Sequence, residues 1–196
     1  MKRSARGAGS RSGQLRIIGG QWRGRKLRFP TVDGLRPTTD RIRETLFNWL
    51  TPELAGARCA DLFAGSGALG LEALSRGAAF CDFVDSSERV INALRGHLEA
   101  LQASDRAKCH ARPALRYLED VRTPWDIVFV DPPFGRGMVV ACCQALAQGG
   151  LVAAGGLVYL ETARDELLEG LPGNWELHRE KTAGGVTYRL FRVPGG

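Results

Sequence analysis

The amino-acid sequence predicts an α/β domain whose mostly parallel sheet carries helices on both faces and ends in an antiparallel hairpin. From residue 58 onwards, short runs of β-branched, aromatic and aliphatic residues alternate with stretches of helical periodicity, a pattern typical of parallel sheets. Two late strand-like runs are joined by Ala183-Gly184-Gly185, which suits a tight turn between antiparallel strands. A short basic segment precedes this domain. We expect strands at 59–63, 80–84, 107–111, 125–130, 156–161, 175–178 and 186–193, and helices between them at 71–76, 87–101, 114–119 and 138–147.

The basic character of the chain is confined to its N-terminus. The first 28 residues contain nine lysines and arginines and no acid, and the whole chain of 196 residues has a net charge of +6. Residues 29–196 therefore carry 6 − 9 = −3. A basic arm of this kind is typical of proteins that bind a polyanion, usually nucleic acid. We expect residues 1–14 to form a disordered basic tail, 15–34 a β-hairpin that contacts nucleic acid, and 35–196 the main domain.

Candidate nucleic-acid contacts lie in this hairpin and at the start of the helix that follows it. Gly19-Gly20 can form the turn of the hairpin, and Trp22 offers either a stacking platform for a base or an anchor to the domain. Thr38-Thr39-Asp40 has the side chains of a helix N-cap, and the arginines around it could form an anion-binding lip. The predicted contacts are Arg16, Trp22, Arg23, Arg25, Lys26, Arg36, Thr39, Arg41 and Arg43.

A glycine-rich turn follows the first strand of the alternating part. Gly65, Gly67 and Gly70 have the spacing G-x-G-x-x-G, and Asp85 follows the next strand, twenty residues after Gly65. The pattern fits an adenosine-containing cofactor, because the glycines admit close backbone approach and the acid can bind two ribose hydroxyls. Asp61 favours the cationic S-adenosylmethionine over NAD, because a carboxylate four residues before Gly65 would repel a pyrophosphate.

Asp131-Pro132-Pro133-Phe134 follows the apolar run 125–130. Two successive prolines cannot continue a strand, because neither has a backbone N–H. The strand is therefore expected to stop at Asp131. A carboxylate, the Pro132 carbonyl and the Phe134 ring would then lie at the sheet edge where ligands bind in α/β folds. A rigid turn with Asp131 as a helix cap would also account for the tetrapeptide alone.

Together these motifs resemble the bacterial 16S rRNA guanine-N2 methyltransferases of the RsmD type. The resemblance rests on residues 16–27, 35–50, 61–74, 131–134 and 177–181, and it extends from about Leu15 to Arg192. It implies a class I S-adenosylmethionine-dependent methyltransferase, which is Rossmann-like with a mostly parallel seven-stranded sheet. It also implies that the methyl acceptor is the exocyclic amine of one guanine, and that an assembled or assembling small subunit is a better substrate than bare RNA.

The same resemblance implies the site residues. Asp131, Pro132, Pro133 and Phe134 would bind and orient the guanine amine. Pro113 stands where the family usually has Asp or Asn, so backbone groups at Ala114 are expected to meet the adenine amine instead. The expected cofactor contacts are Asp61, Phe63, Ala64, Gly65, Ser66, Gly67, Asp85, Ser86, Pro113, Ala114 and Asp131.

Three alternatives share parts of this pattern. An adenine-N6 or cytosine-N4 methyltransferase would use the same tetrapeptide, because every exocyclic amine offers two hydrogens. A non-catalytic RNA-binding assembly factor could retain the cofactor pocket. A dehydrogenase would share the glycine-rich turn.

The composition also bears on metal binding, cellular location and oligomeric state. The five cysteines form no C-x-x-C pair and the three histidines are scattered, so we expect no metal site and buried thiols in a reducing compartment. No apolar run reaches membrane-spanning length and no signal segment is evident, which predicts a cytoplasmic protein. A monomer is expected because no spare apolar face is evident.

Overall fold

The computed structural model describes residues 12–30 and 39–195. Most of the predicted tail and the predicted contact Arg36 lie outside the described residues. The helices and strands are β1 (Ser12–Arg16), β2 (Lys26–Pro30), α1 (Asp40–Leu54), β3 (Arg58–Asp61), α2 (Ala68–Ser75), β4 (Phe80–Asp85), α3 (Glu88–Ala100), β5 (Ala107–Ala111), α4 (Ala114–Asp120), β6 (Trp125–Val130), α5 (Met138–Gln148), β7 (Val152–Ala163), β8 (Glu176–Ala183) and β9 (Val186–Arg192), with short 3-10 turns at Gly20–Trp22 and Ser104–Arg106.

Seven of these strands form one sheet in the order β5-β4-β3-β6-β7-β9-β8. The pairs among β3 to β7 are parallel, and β9 is antiparallel to both β7 and β8. The predicted α/β class and the terminal antiparallel hairpin are therefore confirmed. The strand order reverses between β3 and β6, and ligands bind at such a switch point, at the carboxyl ends of the strands. We call the end of the sheet formed by the carboxyl ends of its parallel strands the carboxyl edge, and the opposite end the amino edge.

Helices cover both faces of the sheet because its central strands are apolar on both sides. One face packs against α1, α2 and α3, with side chains such as Phe47, Leu71 and Phe129 in a common buried cluster. The other face packs against α4 and α5 around Val128 and Leu146. This two-sided burial explains why the strands appear as continuous apolar runs in the sequence.

The N-terminal strands β1 and β2 form a separate antiparallel sheet. β1 begins at Ser12, so residues 12–14 belong to a strand and not to the predicted tail. Gly19-Gly20 does not form a tight hairpin turn either, because nine residues, 17–25, connect the strands. Gly20 instead lies against α2 with a φ of +74°, and a Cβ there would overlap the carbonyl oxygen of Ser75. The glycine pair thus permits close backbone contact between this sheet and the main domain.

Candidate active site

Three predicted carboxylates lie at the carboxyl edge of the sheet. Asp61 ends β3, Asp85 ends β4, and Asp131 directly follows β6. Because β3 lies between β4 and β6, these residues occupy neighbouring strand ends. The topology therefore brings the Asp-Pro-Pro-Phe motif to the same edge as the acids of the glycine-rich turn.

The glycine-rich turn folds closely around the beginning of α2. The Gly67 nitrogen donates to the Ala64 oxygen at 2.7 Å. Gly67 has a φ of 78°, and a Cβ at this position would overlap the Leu94 side chain. Glycine suits both conditions, and its lack of a side chain lets Leu94 of α3 pack against the start of α2. Of the other predicted contacts here, Ala64 and Ser66 are buried and Phe63 is partly buried.

The Asp85 carboxylate connects this turn to the next helix. Its Oδ2 accepts a hydrogen bond from the Gly65 nitrogen at 3.0 Å, and its Oδ1 accepts one from the Ser87 nitrogen at 2.8 Å. Each carboxylate oxygen has two lone pairs, so the partly exposed Asp85 keeps acceptor capacity for a ribose hydroxyl. That contact stays a prediction, as does one from the neighbouring exposed Ser86.

Asp61 lies deeper, with only 2% of its surface exposed. Its Oδ2 accepts a hydrogen bond from the Gly70 nitrogen at 3.0 Å. Burial raises the pKa of Asp61 to about 7 and the charge of Asp85 adds to this, although backbone hydrogen bonds from Gly70 and Phe63 oppose the shift. A cation at this edge would favour the ionised form of the carboxyl group.

The turn between β5 and α4 reaches the same edge. The backbone nitrogen of Arg112 donates to the Asp85 carbonyl oxygen at 2.9 Å, and this hydrogen bond holds the turn beside the end of β4. Pro113 precedes α4 without a side-chain cap, and Ala114 is buried. Position 113 therefore offers no side-chain acceptor, and the adenine contact predicted for the Ala114 backbone stays a prediction.

The Asp-Pro-Pro-Phe motif begins where β6 ends at Val130. Asp131 is partly exposed, Pro132 is buried and Pro133 is exposed. Phe134 is partly buried against the cluster that contains α1, α2 and α3. The tandem prolines therefore stop the strand and hold the carboxylate, a carbonyl and a ring within four residues at the carboxyl edge.

Tyr159 and Glu161 on β7 are not among the predicted site residues, although they lie beside this motif. Tyr159 is in register with Phe129 of β6, and its hydroxyl donates to Glu161 Oε2 at 2.9 Å. Burial, then the charges of Glu161 and Asp131, hold the pKa of Tyr159 well above its usual value, so both carboxylates lie near the phenol. The available sequence signal is an acid at the end of the apolar run 156–161.

The outward face of the N-terminal sheet is basic. The inward positions Leu15, Leu27 and Phe29 are buried, whereas the residues that alternate with them face solvent. The predicted contacts Arg16, Arg23, Arg25, Lys26 and Arg41 are all exposed, and Arg28, which is not among the predicted contacts, is exposed as well. Strand alternation is the signal that identifies Arg28.

Two of the predicted nucleic-acid contacts, Trp22 and Arg43, are buried and have structural roles. Trp22 is 9% exposed, and the Arg106 guanidinium lies 5.8 Å from the centre of its ring, so this side chain anchors the N-terminal sheet and is no open stacking platform. Arg43 is 2% exposed and its Nη2 lies 2.6 Å from Asp40 Oδ1, which removes it from the predicted anion-binding lip. Thr39 caps α1 by accepting from the Ile42 nitrogen at 3.4 Å, and because it is exposed, its contact with nucleic acid stays a prediction.

A buried carboxylate on α2 holds the N-terminal sheet against the main domain. Glu72 has no exposed surface, and its oxygens accept hydrogen bonds from the nitrogens of Ile18 at 2.9 Å and Gly19 at 2.7 Å. Arg76 Nε lies 2.7 Å from Glu72 Oε1, and Arg43 Nη1 lies 3.5 Å from Oε2. These contacts connect α1, α2 and the segment between β1 and β2.

Comparison with known proteins identifies the family. A family model described as Conserved hypothetical protein 95 matches residues 15–192. Ribosomal RNA small subunit methyltransferase D of Escherichia coli (strain K12) is 51% identical over 183 residues, which are 93% of this chain and 92% of the relative. The chain belongs to the ribosomal RNA small subunit methyltransferase D family.

Solved structures agree with this assignment. An Escherichia coli structure described as the methyltransferase yhhF has a TM-score of 0.86 at 50% sequence identity. The match covers 94% of the present chain and 100% of the Escherichia coli chain. The methyltransferase SMU.776, complexed with SAH, has a TM-score of 0.71 at 17% identity, covering 97% of this family member and 58% of that chain. At that lower identity the likeness shows the fold.

The described residues contain neither a metal-binding cluster nor a membrane-spanning helix. Within residues 12–30 and 39–195, no group of three or more His, Cys, Asp or Glu side chains is arranged to hold a metal ion. Among the helices of the same residues, none is both long and apolar enough to cross a membrane.

Proposed function

We propose that this protein transfers a methyl group from S-adenosylmethionine to the exocyclic N2 amine of a guanine in 16S rRNA of the small ribosomal subunit. One observation carries this proposal: the Asp131-Pro132-Pro133-Phe134 turn lies at the same sheet edge as the glycine-rich turn, Asp61 and Asp85. An amine-binding motif and a cofactor pocket are thus side by side.

The residues at this edge fit S-adenosylmethionine. Gly67 supplies the left-handed conformation in which the glycine-rich turn meets α2, and Asp85 can accept hydrogen bonds from a ribose. The buried Asp61 suits a positively charged ligand, because a cation offsets the cost of ionising a carboxyl group away from water. When bound, S-adenosylmethionine supplies an electrophilic methyl group on a sulfonium. An NAD pyrophosphate would meet repulsion at the same place.

The chemistry at the acceptor follows from the amine. The lone pair of guanine N2 is delocalised into the ring, so the nitrogen is a poor nucleophile until it is held and reoriented. The Asp131 carboxylate and the Pro132 carbonyl can accept its two N–H bonds and direct the nitrogen toward the methyl group. Phe134 can stack on a base that has left its neighbours. Asp131 acts mainly by orienting the amine, and it can accept the released proton.

Relatives and surface charge support ribosomal RNA as the substrate. The Escherichia coli relative that is 51% identical to this chain is named a small subunit rRNA methyltransferase. The N-terminal sheet adds exposed Arg and Lys side chains, which bind phosphates. We therefore propose that the RNA lies across this sheet and the carboxyl edge. We also propose that the protein is cytoplasmic and acts as a monomer.

The test is transfer of labelled methyl from S-adenosylmethionine to small subunits isolated from a strain that lacks the endogenous activity, and to protein-free 16S rRNA. We expect label in N2-methylguanosine after nucleoside digestion, with more on the particle. Label in N6-methyladenosine or N4-methylcytidine would overturn the guanine assignment. If S-adenosylmethionine binds and both RNAs stay unlabelled, the assembly-factor alternative replaces the enzyme. A rise in melting temperature with NAD alone would favour a dehydrogenase.

A further inference from the structure

The strand that neighbours the Asp-Pro-Pro-Phe motif carries an acid near its end. β6 and β7 are parallel, and Val130 is in register with Leu160. Asp131 directly follows Val130, and Glu161 directly follows Leu160. The two carboxylates therefore lie at equivalent positions on neighbouring strands, at the carboxyl edge of the sheet.

Both acids belong to the face of the sheet on which the buried Asp61 lies. Side chains alternate along a strand, so Asp131 shares a face with Phe129. Glu161 shares a face with Tyr159 for the same reason, and the ring centres of Phe129 and Tyr159 are 6.3 Å apart. Asp61 is in register with Phe129. The acid that suits the cofactor and the two acids at the acceptor site thus occupy one face.

A buried tyrosine orients the Glu161 carboxylate. Glu161 is 4% exposed, and its Oε2 accepts a hydrogen bond from the Tyr159 hydroxyl at 2.9 Å. The rings of Tyr159 and Tyr188 lie 6.5 Å apart, and Tyr188 stacks on Trp49 at 5.4 Å. A carboxylate offers about four acceptor positions, so the bond from Tyr159 fixes Glu161 without using all of its capacity. Glu161 is therefore a preorganised hydrogen-bond acceptor beside Asp131.

The ring nitrogen beside the reacting amine distinguishes guanine from the other amino bases. In guanine this nitrogen is N1, which carries a hydrogen and is a donor. In adenine it is N1 and in cytosine N3, and both carry a lone pair and no hydrogen. A carboxylate accepts a hydrogen bond from the donor and repels the lone pairs. The Asp-Pro-Pro-Phe motif contacts only the amine, so a second carboxylate is needed to make this distinction.

We propose that Glu161 selects guanine by accepting a hydrogen bond from N1–H, while Asp131 and the Pro132 carbonyl hold the N2 amine. This inference rests on the proposed methyl transfer to guanine N2, and it names the residue that determines the base. Tyr159 is a positioning residue, because it acts by holding Glu161. A base that enters the site shields the carboxylate further from water, which strengthens the hydrogen bond.

The test compares two bases that share the N2 amine. Small subunits are reconstituted with 16S rRNA that carries either guanine or 2-aminopurine at the methylated position, and 2-aminopurine lacks the hydrogen on N1. We expect the unmodified protein to favour guanine by about 10- to 100-fold in kcat/KM, which is the worth of a hydrogen bond to a charged group. This comparison needs no variant, so it does not depend on how well a variant folds.

Variants then assign the preference to Glu161. In Glu161→Gln it should fall to about threefold or less, because an amide can accept from N1–H or donate to a bare N1. Tyr159→Phe keeps the carboxylate and removes its orienting bond, so its preference should be intermediate. The control Glu169→Gln changes an exposed acid and should keep the full preference. Since every protein meets the same two amines, their intrinsic reactivities cancel when preferences are compared.

The outcomes separate this inference from the proposed function. Equal kcat/KM of the unmodified protein for the two bases would overturn the inference, while transfer to guanine upheld the proposed function. An unchanged preference in Glu161→Gln, even with lower activity on both bases, would assign Glu161 a structural role and also overturn it. Absence of transfer to guanine by the unmodified protein would overturn the proposed function and the inference with it.

Discussion

The carboxylate of Glu72 lies 2.7 Å from the backbone nitrogen of Gly19. This hydrogen bond joins the helix that follows the glycine-rich turn to the segment between the basic strands. Because Glu72 is completely buried and also contacts Arg43 and Arg76, its charge is balanced inside the protein. The N-terminal sheet is therefore attached through a buried ionic network as well as through apolar packing.

Replacing Glu72 should weaken this attachment strongly. Glu72→Gln leaves the buried Arg43 with one carboxylate partner fewer, and removing one member of a buried ion pair costs about 3 kcal/mol. We expect urea denaturation to show that loss, and hydrogen exchange to show faster exchange of the Ile18 and Gly19 amides. The exposed control Glu99→Gln should change stability by less than about 0.5 kcal/mol. Lower stability with unchanged protection of those two amides would show that Glu72 does not hold this segment.

The two glycines Gly20 and Gly24 make a matched pair for testing backbone contact. Both have positive φ, but a Cβ at Gly20 would overlap the Ser75 carbonyl, whereas a Cβ at Gly24 would meet no atom within 4 Å. Gly24→Ala should cost only the strain of a left-handed alanine, about 1 kcal/mol. Gly20→Ala should cost more, because α2 or the segment must also move. Equal melting temperatures for the two variants would refute the close contact.

Asp61 should make cofactor binding depend on pH. Burial raises the pKa of Asp61 to about 7, so the group is mostly protonated at pH 6 and mostly ionised at pH 8. A sulfonium favours the ionised form, and the affinity for S-adenosylmethionine should rise about tenfold over this range. Calorimetry on Asp61→Asn supplies the control, because it leaves only the pH dependence of the ligand. An identical pH profile for both proteins would contradict the assignment of Asp61 to a cationic ligand.

The raised pKa of Asp61 also makes the stability of the ligand-free protein depend on pH. Whereas affinity for the cofactor should rise with pH, stability should fall. The folded protein keeps the Asp61 proton up to about pH 7, whereas the unfolded chain releases it near pH 3.8. The contribution to stability is therefore complete below pH 3.8 and is lost as the pH rises through 7. In Asp61→Asn the free energy of unfolding should fall less steeply over this range, which denaturation at a series of pH values measures.

Local patterns predicted the fold well, and long-range contacts explain what they missed. The strands at 107–111 and 125–130 have the observed bounds, because apolar runs between turn residues determine short buried strands. The turn predicted at Gly19-Gly20 is absent from the structure, since a glycine pair has the same sequence whether it turns the chain or contacts a helix 53 residues away, as Gly19 does at Glu72. The burial of Arg43 likewise depends on Glu72, and no local pattern reveals such a partner.

The residues of the candidate site divide in the same way, into those that local sequence patterns locate and those that only the tertiary structure locates. Asp61, Asp85 and Asp131 could be placed at one edge from the sequence, because the ends of parallel strands follow from the alternation of strands and helices. Tyr159 and Glu161 could not, because their position depends on which strand pairs with β6.

Substitutions at Asp131 should separate orientation from proton transfer. Asp131→Ala removes the acceptor for one amine hydrogen, and methyl transfer to small subunits should fall by about 10²–10³-fold, since a single positioned hydrogen-bonding group is worth that much in kcat. Asp131→Asn keeps an acceptor oxygen but loses the charge, so it should retain more activity than the alanine variant. Affinity for S-adenosylmethionine should change little in either, and the exposed Asp105→Ala serves as the control for general effects of removing a carboxylate. If Asp131→Ala turned over at a near-normal rate, the motif would not bind the amine. If the asparagine variant were as inactive as the alanine variant, proton acceptance by Asp131 would outweigh orientation.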